Sequence, residues 1–460
     1  MTSATNTGKL LSHTLAWCAA CRKKIQARLV DRADKIYLQK ACPKHGISEV
    51  LASGDSAWYL SSRAYIKPSQ EPLGYKTSYK GCPESCGFCP EHQQHTCLPV
   101  IEILDRCDMN CPVCLKDFNR PFEFSLKDFQ RALGGVLKTE GGCPVINLSG
   151  GEPTLHPLFR DFITHSYSKG VLQVTVSTTG LRLLADKELR AFFKDTGTIA
   201  ALQFDGFSPD SWKFMRGDPA LGQKKLRLIK LLEKERVKYS LVATVAKGVN
   251  DTEIGKITDL FFRSKALSLM FQPLCFTGRA SGLETEKYRL TIPDIVKAAQ
   301  KSRFIGKDDF NPLPCSHYSC FALAYYLASG KGSFISLKDF LGREFYLDAI
   351  ANKTLPGLDK SAYGQLKEKL YALWSAADSS SENQAVLDRI RGLIRSMERD
   401  GFSPKTALTA GMDSMKAVFI HSFMDAHNMD FGRLVKCCNP YAGADGRLVP
   451  MCSQNTFFQG

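Results

Sequence analysis

The 460 residues contain no run of about eighteen consecutive apolar side chains, so nothing in them reads as a membrane-spanning helix. Met1 to Leu15 is polar and lacks a hydrophobic signal core or a small-residue cleavage site, from which a cytoplasmic setting is expected. No tandem repeat of fixed period and no low-complexity tract is present, which excludes solenoid and compositionally disordered classes. A recognition helix with paired zinc ligands and an aromatic RNA-binding signature are both missing, so a nucleic-acid partner is not expected. Acidic residues are the scarcer charge, 46 against 61 Lys and Arg, giving a net charge of +15. That sign fits an anionic small substrate or peripheral contact with the anionic inner membrane surface. Part of the excess sits in the helix-like stretch Gln223 to Lys238, where Leu226, Ile229, Leu232 and Val237 form an apolar face and the charges read as a solvated one.

Cysteine, by contrast, is abundant at 17 residues. In a long chain without a secretion signal, short clustered spacings point to metal thiolates rather than disulfides. The chain divides into a small unit of short strands over residues 1–70, a cysteine-dense segment at 71–98, an alternating region at 99–285 and a C-terminal extension at 286–460. In the alternating region six short β-branched runs are separated by amphipathic helix-length segments: Pro99 to Leu104, Val145 to Leu148, Leu172 to Val176, Ala200 to Phe204, Leu241 to Val245 and Ser268 to Phe271. This pattern predicts an α/β unit of six β-α repeats with parallel strands. The extension reads as mainly helical, over Ile292 to Lys301, Phe321 to Ala328, Leu366 to Ala376 and Glu382 to Met397 with a polar break at Asp378 to Ser381, before turns and cysteines return at Lys436 to Cys452.

Four cysteine groups carry chemistry. Cys107, Cys111 and Cys114 follow the first strand of the alternating region with spacing Cys-x3-Cys-x2-Cys. Three thiolates hold three irons of a 4Fe-4S cubane and leave the fourth open, able to chelate the amino and carboxylate groups of S-adenosylmethionine (SAM) and pass it an electron. At the end of the next strand stands Ser149-Gly150-Gly151-Glu152-Pro153, where the glycines allow close backbone approach and Glu152 offers an acceptor for the SAM ammonium. The second group is Cys82, Cys86, Cys89 and Cys97, four thiolates for an auxiliary 4Fe-4S cluster or a structural zinc. The third, Cys18, Cys21, Cys42 and His45, suits one tetrahedral zinc or rubredoxin-like iron. The fourth is assembled from Cys315, Cys320, Cys437 and Cys452, with Cys438 as an alternative ligand, for a second auxiliary cluster. Cys143 and Cys275 stand alone and read as small buried hydrophobes.

These motifs resemble the radical SAM superfamily and, within it, a subgroup containing archaeal tetraether lipid synthases and methylases of a reduced hydroxymethylpterin. The likeness extends through Gly81-Cys82-Pro83, Cys89-Pro90-Glu91-His92, Gln203-Phe204-Asp205-Gly206-Phe207, Phe271-Gln272-Pro273, Thr277-Gly278-Arg279 and Asp445-Gly446-Arg447. It departs from that pattern at Asn439-Pro440-Tyr441 and at Tyr318. The resemblance implies a partial (βα)6 TIM-type barrel, a SAM-binding 4Fe-4S cluster, two auxiliary 4Fe-4S clusters and an N-terminal mononuclear metal. It further implies that Ser177 and Thr179 at the third strand end, with Gln203 and Asp205 at the fourth, line the SAM and substrate pocket. The expected activity is hydrogen abstraction by a 5'-deoxyadenosyl radical leading to carbon-carbon bond formation on lipid alkyl chains, the alternative being methylation of a pterin or similar small molecule. An electron donor such as ferredoxin or flavodoxin is the expected protein partner.

Overall fold

The structure is a computed structural model describing residues 8–458, apart from 76–79, 118–120, 331 and most of 353–402. The N-terminal unit is an antiparallel meander in the order β1 (Lys9–Cys18), β2 (Lys23–Arg32), β3 (Lys35–Cys42), β4 (Gly46–Ser53). Alternation in β3, with Ile36 and Leu38 buried between exposed or half-buried neighbours, fixes one apolar face, which packs on Ala16, Ala27, Leu29 and Tyr59.

A second, twelve-stranded sheet forms the body. Its central strands are β5 (Val100–Glu102), β6 (Val145–Ser149), β7 (Gln173–Thr178), β8 (Ile199–Gln203), β9 (Tyr239–Val245) and β10 (Ser268–Pro273). They pair in sequence order and all in parallel. The helices following them include α1 (Leu126–Glu140), α2 (Phe159–Ser168), α3 (Lys187–Thr196), α4 (Pro209–Arg216), α5 (Leu221–Glu235), α6 (Ile254–Arg263) and α7 (Ile292–Ala299). One sheet face is apolar: Ile101, Ile146, Leu148, Val174, Val176, Ala200, Leu202, Leu241, Ala243, Leu269 and Phe271 are all fully buried in the main core with these helices. α1 starts with a capping box in which Ser125 and Asp128 satisfy each other's backbone donors.

The C-terminal extension departs from the helical expectation. Phe321 to Ala328 lies in a strand, Phe321–Gly330, because aromatic and β-branched neighbours bury both of its faces between antiparallel partners. The described extension contributes β11 (Asn311–Pro312), β12 (Phe321–Gly330), β13 (Ser333–Ser336), β14 (Met415–His421), β15 (Pro440–Ala442), β16 (Leu448–Pro450) and the helix α8 (Met451–Phe457). β14 runs parallel to β10, and β15 runs parallel to β5, so strands on both sides of residue 285 share one sheet. The predicted helices at Leu366 to Ala376 and Glu382 to Met397 lie outside the described residues.

Lys225 breaks the solvated-face reading of α5, since it is fully buried inside the fold. Among the described residues no helix is long and apolar enough to cross a membrane.

Candidate metal centres and active site

In the N-terminal meander, Cys18 ends β1 with Cys21 in the following turn, and Cys42 ends β3 with His45 just before β4. The two hairpin ends lie side by side, so four ligand atoms converge within 4.8 Å of one another. Cys21 and Cys42 Sγ are 3.7 Å apart, and His45 Nδ1 lies 3.5 Å from Cys18 Sγ and 3.4 Å from Cys42 Sγ. A tetrahedral ion with bonds near 2.3 Å sets its sulfurs about 3.8 Å apart, so the donor set fits one zinc or iron ion. Burial works to raise the Cys42 thiol, but hydrogen bonds from Lys44 and His45 bring it down to about 6.

The loop bearing Cys107, Cys111 and Cys114 leaves the C-terminal end of β5. It is pinned by the loop after β6, where Gly151 N–H donates to Leu104 O (2.9 Å) and Glu152 N–H to Arg106 O (2.8 Å). Side chains are excluded there. Gly150 has φ +132°, and a Cβ on Gly151 would meet Arg106 O at 2.1 Å.

Glu152 sits where the second and third strand ends meet. It is fully buried, and its carboxylate accepts from Thr154 N (3.1 Å), Thr154 Oγ1 (2.6 Å), Thr178 Oγ1 (2.9 Å) and Thr179 N (2.7 Å). Three of the bonds fall on Oε1 and one on Oε2, so the carboxylate locks the second and third strand ends together while Oε2 keeps room for a further donor. Pro153 opens the short turn that Glu152 caps. Thr179 Oγ1 in turn donates to Asp108 Oδ2 in the cysteine loop at 3.1 Å.

Strand register places a row of polar side chains on the sheet face opposite the helices: Glu102, Asn147 and Ser149, Thr175 and Ser177, Gln203, Thr244 and Gln272. Asn147 ties the row together, donating to Ser177 Oγ (3.0 Å) and accepting from Thr175 Oγ1 (2.9 Å). Gln203 reaches Asp205 with its amide and accepts from Lys225 Nζ at 3.2 Å. Asp205, fully buried, binds Arg216 through two bonds of 2.6 and 3.2 Å and accepts from Thr244 N at 2.9 Å. Asp205 is therefore a holder of Arg216 rather than a free ligand.

Arg216, unremarked in the sequence, ends α4 and reaches the Cys111 thiol; with Arg279 it also lies near Cys114. Burial works to lower its pKa, but Asp205 more than offsets this and keeps the guanidinium charged. Lys225, held beside Thr179 and Gln203, is brought down to about 8 by burial. No motif marks either residue. The tertiary placement of α4 and α5 alone brings them in.

The remaining thiols sort differently from their spacing. Cys82 and Cys86 meet each other, with Cys437 near Cys86. Cys97 does not join them. Its N–H and that of Leu98 both donate to Cys438 O, at 2.8 and 3.2 Å, which turns the Cys97 thiol toward those of Cys315 and Cys438. Cys315 packs with Cys97, Cys438 and Cys320 in one cluster. Cys320, Cys437, Cys438 and Cys452 line one small cavity with the buried Arg433, whose Nη2 lies 3.6 Å from Cys320 Sγ. A fixed cation among four thiols suits an anionic cluster. The Cys143 thiol is directed at Val145 O, and that of Cys275 at Met424 O, beside Cys452, which accepts from Met424 N at 3.3 Å.

Residues 10–54 match the HMPTM N-terminal zinc ribbon domain, and residues 77–261 match the radical SAM superfamily. The chain is a radical SAM enzyme. Membership implies the 4Fe-4S cluster and SAM, which the three thiols and the flanking arginines fit. This radical SAM enzyme is 29% identical over 478 residues to the 7,8-dihydro-6-hydroxymethylpterin dimethyltransferase of Methanocaldococcus jannaschii, covering 96% of this chain and 93% of that protein. It is also 29% identical over 198 residues to the Fe-coproporphyrin III synthase of Methanosarcina barkeri, over 42% of this chain and 48% of that one. Among solved structures, Streptococcus suis SuiB bound to precursor peptide SuiA is similar at TM-score 0.39 and 12% identity, over 58% of this chain and 66% of that one.

Proposed function

We propose that this enzyme methylates a reduced pterin. The observation that carries the reading is the end-to-end similarity to a hydroxymethylpterin dimethyltransferase, which spans the zinc ribbon, the cysteine loop and the C-terminal cysteines together. The polar row on the inner sheet face supports it, since Glu102, Asn147, Ser177, Gln203, Thr244 and Gln272 suit a small hydrogen-bonding substrate better than alkyl chains. For that reason pterin methylation takes precedence over lipid coupling.

On this reading, Cys107, Cys111 and Cys114 hold the SAM cluster, within a partial (βα)6 barrel. When bound, the cluster supplies SAM with the electron that yields a 5'-deoxyadenosyl radical. Arg216 offers its remaining N–H groups to the SAM carboxylate, and Ser177, Thr179 and Gln203 line the pocket beside it. Cys82, Cys86 and Cys89 belong to one auxiliary cluster, and Cys320, Cys437, Cys438 and Cys452 to the other. Cys97 and Cys315 lie at their border. Ferredoxin or flavodoxin supplies the electrons.

The test is anaerobic incubation with SAM, a reduced-folate methylene donor to supply the carbon, dithionite to supply the electrons, and separate pterin and phospholipid pools, read by mass spectrometry. Deoxyadenosine together with a pterin heavier by one methylene unit is expected. Deoxyadenosine formed only with phospholipid would overturn the reading.

A further inference from the structure

Glu102 closes β5 on the polar sheet face, and Lys116 lies two residues beyond Cys114. Lys116 Nζ is 2.9 Å from Glu102 Oε2, with side-chain exposures of 8% and 14%. The ammonium rests 4.1 Å from the ring centroid of Tyr441 on β15, the strand paired with β5. Tyr441 also lies near Cys114 and Cys452.

Among the described residues, this is the only side-chain hydrogen bond that either charged group makes. Other buried carboxylates at the strand ends accept three or four hydrogen bonds each. Glu152 has four partners, Asp205 is bound by Arg216, Gln203 and Thr244 N, and Glu253 accepts from Phe207 N, Ser208 N and Ser211 Oγ. Glu102 retains an open carboxylate oxygen and Lys116 open N–H donors, both at the polar face and close to the cysteine loop. A nearly buried ion pair left half satisfied is costly unless something completes it.

The complement is a planar edge presenting adjacent donors to the carboxylate and then an acceptor to the ammonium. A 2-amino-4-oxopyrimidine ring has that edge: the 2-amino group and N3–H donate, and O4 accepts. We propose that Glu102 and Lys116 are the recognition pair for the aminopyrimidinone edge of the substrate, Glu102 accepting from the 2-amino group and N3–H while Lys116 donates to O4. Tyr441 is the positioning residue that holds Lys116 in place. The inference rests on the pterin reading and adds to it the side of the site on which the ring is read.

Equilibrium dialysis of the anaerobically reconstituted enzyme against 7,8-dihydro-6-hydroxymethylpterin and its 2,4-dioxo counterpart, 7,8-dihydro-6-hydroxymethyllumazine, tests it. The lumazine turns the 2-amino donor into a carbonyl facing the carboxylate, and its binding should be weaker by about 10- to 100-fold, the scale of a charged hydrogen bond. Glu102→Gln should lose a similar factor for the pterin at unchanged iron content, with a lower melting temperature because the Lys116 ammonium loses its counter-charge. Equal affinity for both ligands, or a correctly folded Glu102→Gln that binds the pterin as the parent does, would overturn the pair while leaving the pterin reading in place. If Glu102→Gln does not fold, the comparison of the two ligands on the parent enzyme decides. No binding of the pterin by the parent enzyme would overturn the pterin reading itself, and the recognition pair with it.

Discussion

Arg216 depends on a single carboxylate for its charge compensation. Asp205 is fully buried and grips the guanidinium through two hydrogen bonds while a third partner, Thr244 N, fixes the carboxylate itself. Removing one member of a buried pair leaves the other charge uncompensated, at a cost of about 3–5 kcal/mol. Asp205→Asn should therefore lower unfolding stability by roughly that amount. It should also weaken SAM binding, because the guanidinium loses its fixed aim beside Cys111. Urea unfolding and SAM dialysis on the same sample separate the two effects, and a variant with unchanged stability would show that Arg216 has another counter-charge. The resemblance marks Asp205 but not the residue it serves. Arg216 lies eleven positions on, at the end of a helix whose docking no local pattern encodes.

The strand-end loops are the elements that hold the site, and the pattern of buried β-branched runs makes the six strands legible because the apolar sheet face repeats in each. The C-terminal strands are less so, since β12 is buried on both faces and a continuous apolar run reads equally as helix. Glu152 and Cys97 show the same limit: spacing identifies a donor but not which partner will claim it. In the loop after β6, His156 accepts from Leu158 N at its Nδ1 (3.0 Å) and donates from Nε2 to Phe124 O (3.0 Å), which fixes the neutral tautomer. Burial lowers its pKa in the fold. The unfolded chain thus binds a proton before the folded one does, and the contribution of this residue is present above the ordinary histidine value and lost as pH falls through the lowered one. The urea midpoint should drop below about pH 6.5, where His92, His165, His317, His421 and His427 contribute in the same direction, and His156→Gln should make that part of the curve less steep without abolishing it. An unchanged slope would show that His156 is not one of the titrating groups. The ribbon makes a separate prediction. Its turns are held together by Cys18, Cys21, Cys42 and His45, so chelation of the ion should abolish amide protection over residues 10–54 while leaving β5 to β10 protected. Protection that survives chelation would make the ion dispensable to the meander.

At the scale of the whole molecule, the C-terminal segment is built into the core rather than appended to it. β14 continues the parallel sheet beyond β10, and β15 continues it beyond β5, so both flanks of the six-strand array are covered by residues far along the chain. The attachment reaches a helix as well as the sheet. Lys416 on β14 is largely buried and donates from Nζ to Phe261 O (3.0 Å), Ser264 O (2.9 Å) and Ala266 O (2.9 Å), at and just beyond the end of α6, where Phe261 O also accepts from Ser264 N and Oγ. A cation at a helix C-terminus also complements the helix dipole. Lys416→Met keeps an apolar side chain over Phe261 but removes the Nζ donors, leaving Ser264 O and Ala266 O without that partner at a cost of about 1–3 kcal/mol, while Phe261 O keeps its bonds from Ser264. If β14 and α6 unfold as one unit, the variant should shift a single cooperative transition to lower urea without changing its slope. A second, earlier transition confined to the C-terminal segment would instead mean that β14 detaches while the six parallel strands remain folded, and the sheet would then be two cooperative units joined at β10.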